Sequence, residues 1–278
     1  MKYILYCTAA LIICFIVALL ITNVVLKELK RKNKKTTTIS TIVVCILLYC
    51  IVALGYLSVY YHADMDAVNK AFAMPDISVT QYSAKESGSY SFTKEGNSRA
   101  LIFYAGAKVD ELAYSPLMAK LADGGVDCYL VDIPFHMAMF AADAPSWFLQ
   151  NLSDKNYDAW MVGGHSMGGI VAAQYAAKHS DVIDGVVLLA SYSTVSIPQN
   201  IALCSIYGSN DGCLDLEQYE GSKENFPAVS EEYIINGGNH AQFASYGMQK
   251  GDGIATISLD NQISETSEII CRFAKNIR

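Results

Sequence analysis

The chain has 278 residues, of which 52% are hydrophobic and 17% charged, with a formal net charge of −7. Its first 62 residues hold seven Lys or Arg against one acidic residue, whereas the remaining 216 hold 13 against 26. A body this acidic repels phosphate backbones, which excludes nucleic-acid binding as a leading role; its regular apolar segments exclude disorder, and its length supports one sizeable core.

Tyr3–Leu26 and Thr36–Ala63 are stretches of 24 and 28 residues without a charged side chain. Either is long enough for a bilayer, which needs about 20 apolar residues as helix. The pattern predicts two transmembrane helices, 3–26 and 36–62, forming a membrane anchor over residues 1–62. Lys27, Lys30, Arg31, Lys32, Lys34 and Lys35 crowd the connecting loop, residues 27–35. Their charge is expected to hold that loop in the cytoplasm, leaving the larger body in the cell membrane's extracytoplasmic space. Tyr56, Tyr60 and Tyr61 close the second stretch, as amphipathic rings do at an interface. A cleaved signal peptide fits the first stretch poorly, because the apolar run is too long and no A-x-A site ends it. Residues 63–75 read as a polar linker and 76–278 as a single domain.

In that domain, Ile77–Ser83 and Ser89–Thr93 read as strands joined by a turn, and Ala100–Tyr104 as a strand buried on both faces. Asp110–Leu121 carries Leu112, Leu117, Met118 and Leu121 at helical spacing. Strands follow at Val126–Val131, Ala159–Val162, Gly185–Ala190, Ala202–Tyr207 and Tyr233–Ile235, with helices at Met167–His179 and Leu259–Asn276. This alternation predicts an α/β fold, a mostly parallel sheet with helices on both faces. Cys128, Cys204, Cys213 and Cys271 lack metal-ligand spacing and read as buried thiols, with pairing of Cys204 and Cys213 left open.

The chemistry is concentrated at Gly163-Gly164-His165-Ser166-Met167-Gly168-Gly169, between an apolar strand and an Ala-rich helix. G-x-S-x-G in this setting is a sharp strand-to-helix turn that lifts the serine hydroxyl clear of the sheet. A serine hydroxyl needs a base to take its proton, and the partners of such a turn follow in the order Ser, Asp or Glu, His. Of five histidines, His62 and His136 precede the serine, His165 lies inside the turn and His179 ends the next helix. Elimination selects His240, on the loop Gly237-Gly238-Asn239-His240 after a strand. Asp211, at the end of the strand Ala202–Tyr207, is the expected acid, with Asp215 its rival at a helix start where capping explains it. The oxyanion hole requires two backbone donors. They are expected to be Met167, which follows the nucleophile, and Ala107 in the loop after Ala100–Tyr104, with Lys108 adjacent.

At these residues the chain resembles the α/β-hydrolase superfamily, and within it a little-characterised bacterial branch. The segments that carry the resemblance are Gly106-Ala107-Lys108-Val109-Asp110, Ile133-Pro134-Phe135, the GGHSMGG turn and Tyr207-Gly208-Ser209-Asn210-Asp211-Gly212. Most distinctive are Gly237-Gly238-Asn239-His240-Ala241-Gln242-Phe243 and Gln249-Lys250-Gly251-Asp252-Gly253. The chain departs from the branch at Ala105, where Pro is usual, and at Ala244, where Gly is usual. The resemblance covers residues 76–275 and implies a catalytic triad of Ser166, Asp211 and His240.

The combined expectation is a membrane-anchored serine hydrolase that cleaves an ester-type bond through an acyl-enzyme. No cofactor or metal is needed, and the partners are a small-molecule or lipid-like ester and the bilayer itself. Ser191–Asn200 is too short for a helical lid, so the site is expected to be open or partly walled by Phe135–Leu149. Acyl transfer by the same triad and a non-catalytic tethered binding module are the alternatives.

Overall fold

This computed structural model describes residues 15–25, 27, 34–83 and 87–277. The chain divides into two compact units between Val59 and Tyr60. The first holds α1 (Phe15–Val25) and α2 (Lys34–Leu57). Among the described residues, Thr38–Leu57 is the one helix long and apolar enough to cross a membrane, and α1 is shorter. Ile42, Ile46, Ile51 and Leu54 are all exposed, so packing within the protein does not account for their apolar character. Residues 3–14 and 26 of the first expected span and 28–33 of the basic loop lie outside the described residues.

The second unit is built on an eight-stranded sheet. Its strands are β1 (Ser78–Gln81), β2 (Tyr90–Thr93), β3 (Arg99–Tyr104), β4 (Val126–Leu130), β5 (Ala159–His165), β6 (Gly185–Leu189), β7 (Ala202–Gly208) and β8 (Ser230–Ile235). They lie in the order β1-β2-β4-β3-β5-β6-β7-β8. β2 pairs antiparallel with both β1 and β4 at one end of the sheet, and the remaining neighbours pair parallel. β3 after Arg99, and β6 throughout, read as unbroken apolar runs because both of their faces are covered, and β4 is likewise buried along its length, Asp127 included.

Helices α3 (Met65–Phe72), α4 (Ser115–Asp123), α5 (Ala144–Asn151), α6 (Met167–Lys178), α7 (Leu216–Ser222) and α8 (Leu259–Asn276) complete the unit. Glycines in β5 and β6 show how two of them are apportioned. A Cβ on Gly164 would meet the backbone of Gly168 in α6, whereas one on Gly185 would meet Phe273 of α8 and Met161 of β5. Met161 and Gly164 are an odd number apart and point to opposite faces, so α6 and α8 cover opposite sides of the sheet.

Two sequence expectations need correction. Residues 63–75 are not a linker, because they contain α3. Asp64 caps it by accepting the N–H groups of Asp66 and Ala67, and Val68 and Ala71 are buried one turn apart. Its short apolar stripe was masked by the polar residues around it. The helix expected over Asp110–Leu121 is broken: a 3-10 turn, Glu111–Tyr114, precedes α4. Pro116 explains the break, since its missing N–H and fixed φ suit only the first turn of a helix. Cys204 and Cys213 are free thiols, and the 191–201 segment carries no helix.

Candidate active site

β5 ends at the middle of the sheet, and its carboxyl end is where loops from several parallel strands converge. The chain reverses there through Ser166, at φ 53° and ψ −122°. For a residue with a Cβ this conformation costs about 1–3 kcal/mol, so the surroundings must impose it. They do so by close backbone approach. A Cβ on Gly164 would lie 2.4 Å from the carbonyl carbon of Gly168, and one on Gly168 would lie 2.5 Å from the carbonyl oxygens of Tyr104 and Ala105. The turn is held on both sides: the Ser166 N–H donates to the Leu189 carbonyl at 2.9 Å, and the Ser191 hydroxyl donates to the Ser166 carbonyl at 2.6 Å.

Asp211 and His240 are brought together by the ends of β7 and β8. The Nδ1 of His240 lies 2.9 Å from Asp211 Oδ2 and 3.1 Å from Oδ1. Their side chains are 1% and 3% exposed, which shields the pair from water. Asp211 Oδ1 also accepts the N–H groups of Cys213 and Leu214, each at 2.8 Å, and this fixes the carboxylate's orientation. With Nδ1–H engaged by Asp211, Nε2 of a neutral His240 is the ring's proton acceptor. Asp215, the rival acid, caps α7 by accepting the Gln218 N–H at 3.1 Å.

Among the described residues the Ser166 hydroxyl makes no hydrogen bond, and the neighbouring residue links the turn to the loop of His240. The His240 ring packs against that of His165, the preceding residue, with centroids 4.4 Å apart. Sequence inspection missed the role of His165. Its Nδ1 lies 2.7 Å from the Tyr114 hydroxyl, which in turn accepts the Gly106 N–H at 3.0 Å. The hydroxyl's own proton is therefore directed at His165. Burial, followed by the neighbouring His240, holds His165 far below the ordinary imidazole range, so it is neutral. A Cβ on Gly106 would lie 2.8 Å from that ring, which is why the loop after β3 needs glycine there.

Backbone donors in this loop sort themselves by what they already bond. Gly106 donates to Tyr114, and Lys108 donates to the His136 carbonyl at 2.7 Å. Between them Ala107 keeps an N–H that is not committed to either partner. Met167 opens α6, where the first N–H groups have no carbonyl within the helix to bond.

A second missed residue is Asp252. Its Oδ1 accepts the N–H of Gly212 at 3.0 Å and of His240 at 3.2 Å, and its Oδ2 accepts that of Ala241 at 2.8 Å. One carboxylate thereby joins the turn after Asp211 to the loop of His240. The available signal was its place between two glycines in Gly251-Asp252-Gly253; a Cβ on Gly253 would collide with the Asn210 carbonyl at 1.9 Å. Asn239 anchors the same loop to α8, with its N–H on Gln262 Oε1 at 3.0 Å and its carbonyl accepting Gln262 Nε2 at 2.8 Å.

Among the described residues, one group has donor atoms close enough for a metal ion: Asp211, Cys213 and His240, within 4.8 Å of one another. Two of these three already bond each other, and burial raises the thiol's pKa, which disfavours the thiolate a metal would need.

The sequence profile of the alpha/beta hydrolase family matches residues 100–264. Among curated protein sequences none matches. In solved structures the fold recurs in a dienelactone hydrolase from Anabaena variabilis, with 16% identity and a TM-score of 0.54 over 73% of this chain and 100% of the other. An esterase from Thermogutta terrifontis shares 15% identity, with a TM-score of 0.52 over 72% of this chain and 92% of that one. A hyperthermophilic esterase from Pyrobaculum calidifontis shares 16%, with a TM-score of 0.53 over 76% and 90%. Taken with the turn at Ser166 and the sheet order, the profile match shows that the chain belongs to the alpha/beta hydrolase family.

Proposed function

We propose that the protein is a membrane-anchored serine hydrolase that cleaves an ester-type bond through an acyl-enzyme. The observation that carries this reading is the buried Asp211–His240 pair, 2.9 Å apart, beside a serine held at positive φ at the head of a helix. In this mechanism Ser166 attacks the carbonyl carbon while His240 Nε2 takes its proton, and Asp211 stabilises the imidazolium through Nδ1–H. The N–H groups of Met167 and Ala107 receive the developing oxyanion. His240 then returns the proton to the leaving alcohol, and water attacks the acyl-enzyme with His240 again as base. The similarity to two esterases and a dienelactone hydrolase supports an ester as the bond cleaved.

Thr38–Leu57 and the apolar stretch before it are the proposed anchor, with the basic loop in the cytoplasm and the catalytic unit outside. Fluorophosphonate labelling of the full chain tests the nucleophile. Ser166→Ala should abolish labelling and lower turnover by about 10³-fold or more while leaving the fold intact. Labelling retained on that variant would show that another residue reacts.

A further inference from the structure

The catalytic unit begins at the oxyanion loop. Tyr61 pairs with Val109, its N–H donating to the Lys108 carbonyl at 2.7 Å and its carbonyl accepting the Asp110 N–H at 2.9 Å. Tyr60 lays its ring on that of His136, with centroids 3.9 Å apart, and the Tyr61 hydroxyl accepts the Lys250 N–H at 3.1 Å. Three segments around the site therefore converge on two consecutive residues: the oxyanion loop, the stretch after β4, and the loop carrying Gln249 to Asp252.

These segments expose large apolar side chains. Phe135, Met139 and Phe140 are 51%, 53% and 56% exposed, and Met248, beside Tyr246 and Lys250, is 88% exposed. Phe135 and Phe140 pack edge to face at 6.0 Å, so they form a patch of their own. Backbone conformation maintains this patch: Phe135 and His136 adopt successive φ values of 57° and 53°, a left-handed pair that is unfavourable above all for the bulky Phe135. The pair is held by the His136 carbonyl on Lys108, the Tyr60 ring and Glu111, whose Oε2 lies 3.2 Å from His136 Nδ1. A strained turn that lifts Phe135 into water needs a counterpart that accepts it.

Chain connectivity identifies that counterpart. Two residues, Ser58 and Val59, separate Leu57 from Tyr60. Fully extended, they span about 11 Å, so the end of the membrane-length helix stays that close to Tyr60 at any angle between the units. We infer that Phe135, Met139, Phe140 and Met248 form a rim that rests in the surface of the bilayer holding Thr38–Leu57, and that the substrate is an ester whose acyl chain resides in that bilayer. The inference deepens the proposed hydrolase reading and rests on it. Apolar side chains at an interface gain from leaving water, and a substrate already in the lipid reaches the Ser166 mouth along the same rim.

The test uses the full chain in phosphatidylcholine–phosphatidylglycerol vesicles. Phe140→Trp adds a reporter whose emission is read above that of Trp147 and Trp160 in the unsubstituted chain. Quenching by lipids bearing a nitroxide near the headgroup, together with protection from iodide, is the expected result. Quenching by iodide alone overturns the rim, and this readout does not depend on whether Ser166 reacts. In a second arm, Phe135→Ser, Met139→Ser and Phe140→Ser are combined. The rate on a long-chain ester dissolved in the vesicles, relative to a short soluble ester, should fall at least about tenfold. An unchanged ratio overturns the substrate class. Loss of fluorophosphonate labelling in the unsubstituted chain would instead strike the hydrolase reading, and a chain that fails to float with vesicles would strike the anchor and the rim together.

Discussion

Asp252 accepts the backbone N–H of His240 at 3.2 Å while the same oxygen accepts that of Gly212, the residue after Asp211. The relative position of Asp211 and His240, the proposed acid and base, is thus set by a third side chain that touches neither the carboxylate nor the ring. Asp252→Asn keeps one acceptor oxygen and turns an NH₂ group toward backbone donors; Asp252→Ala removes both oxygens. Bonds to a charged acceptor are each worth about 1.5–3 kcal/mol. Turnover of a chromogenic ester should fall about tenfold to a hundredfold in Asp252→Asn and further in Asp252→Ala, with the pH profile of kcat/KM broadened or displaced because His240 is mispositioned. An unchanged rate and profile in both would remove Asp252 from the site.

The acid assignment is open to direct test. Because nucleophile, base and acid act as a unit, His240→Ala should be about as damaging as Ser166→Ala, and Asp211→Asn somewhat less so. Asp215→Asn should change neither rate nor melting temperature appreciably, since Asn caps a helix about as well as Asp. A crippled Asp215→Asn beside a healthy Asp211→Asn would reverse the two roles.

Glu111 links stability to pH. Burial, chiefly, raises its carboxyl pKa from 4.5 to about 7. A group with a raised folded pKa binds its proton more tightly in the native state. The stabilisation this provides is complete below the unfolded pKa and is lost as pH rises through 4.5 to about 7. Glu111→Gln, which stays neutral, should match the native chain below pH 4.5 and become the more stable by about 3 kcal/mol or less above pH 7. Thermal melts of the two proteins from pH 4 to pH 8 provide the comparison, and a constant difference across that range would refute the effect.

Topology rests on charge, and protease accessibility reads it out. Six basic residues between Lys27 and Lys35 oppose translocation of their loop. Protease added to intact cells should remove the C-terminal unit and spare the loop. Protection of that unit until lysis would put it in the cytoplasm.

Local pattern was sufficient for much of this molecule. The strand at Ala100–Tyr104, the turn at Ser166 and the helix Leu259–Asn276 are legible because hydrophobic period and glycine placement act over a few residues. Chain order and elimination then pointed to the Asp211 and His240 that the folded chain pairs at 2.9 Å. What the sequence did not disclose depends on contacts between distant segments. The polar residues around α3 read as a linker because Val68 and Ala71 acquire meaning only against a core formed elsewhere. Asp252 looked like a glycine-flanked turn residue, since its partners lie 11, 12 and 40 positions away in sequence. His165 joins Tyr114 across 51 residues, and Tyr61 meets Val109 across a comparable gap. Hydrophobic period reports which face a residue presents to a core; only the closed fold decides which loops arrive together at the ends of the strands.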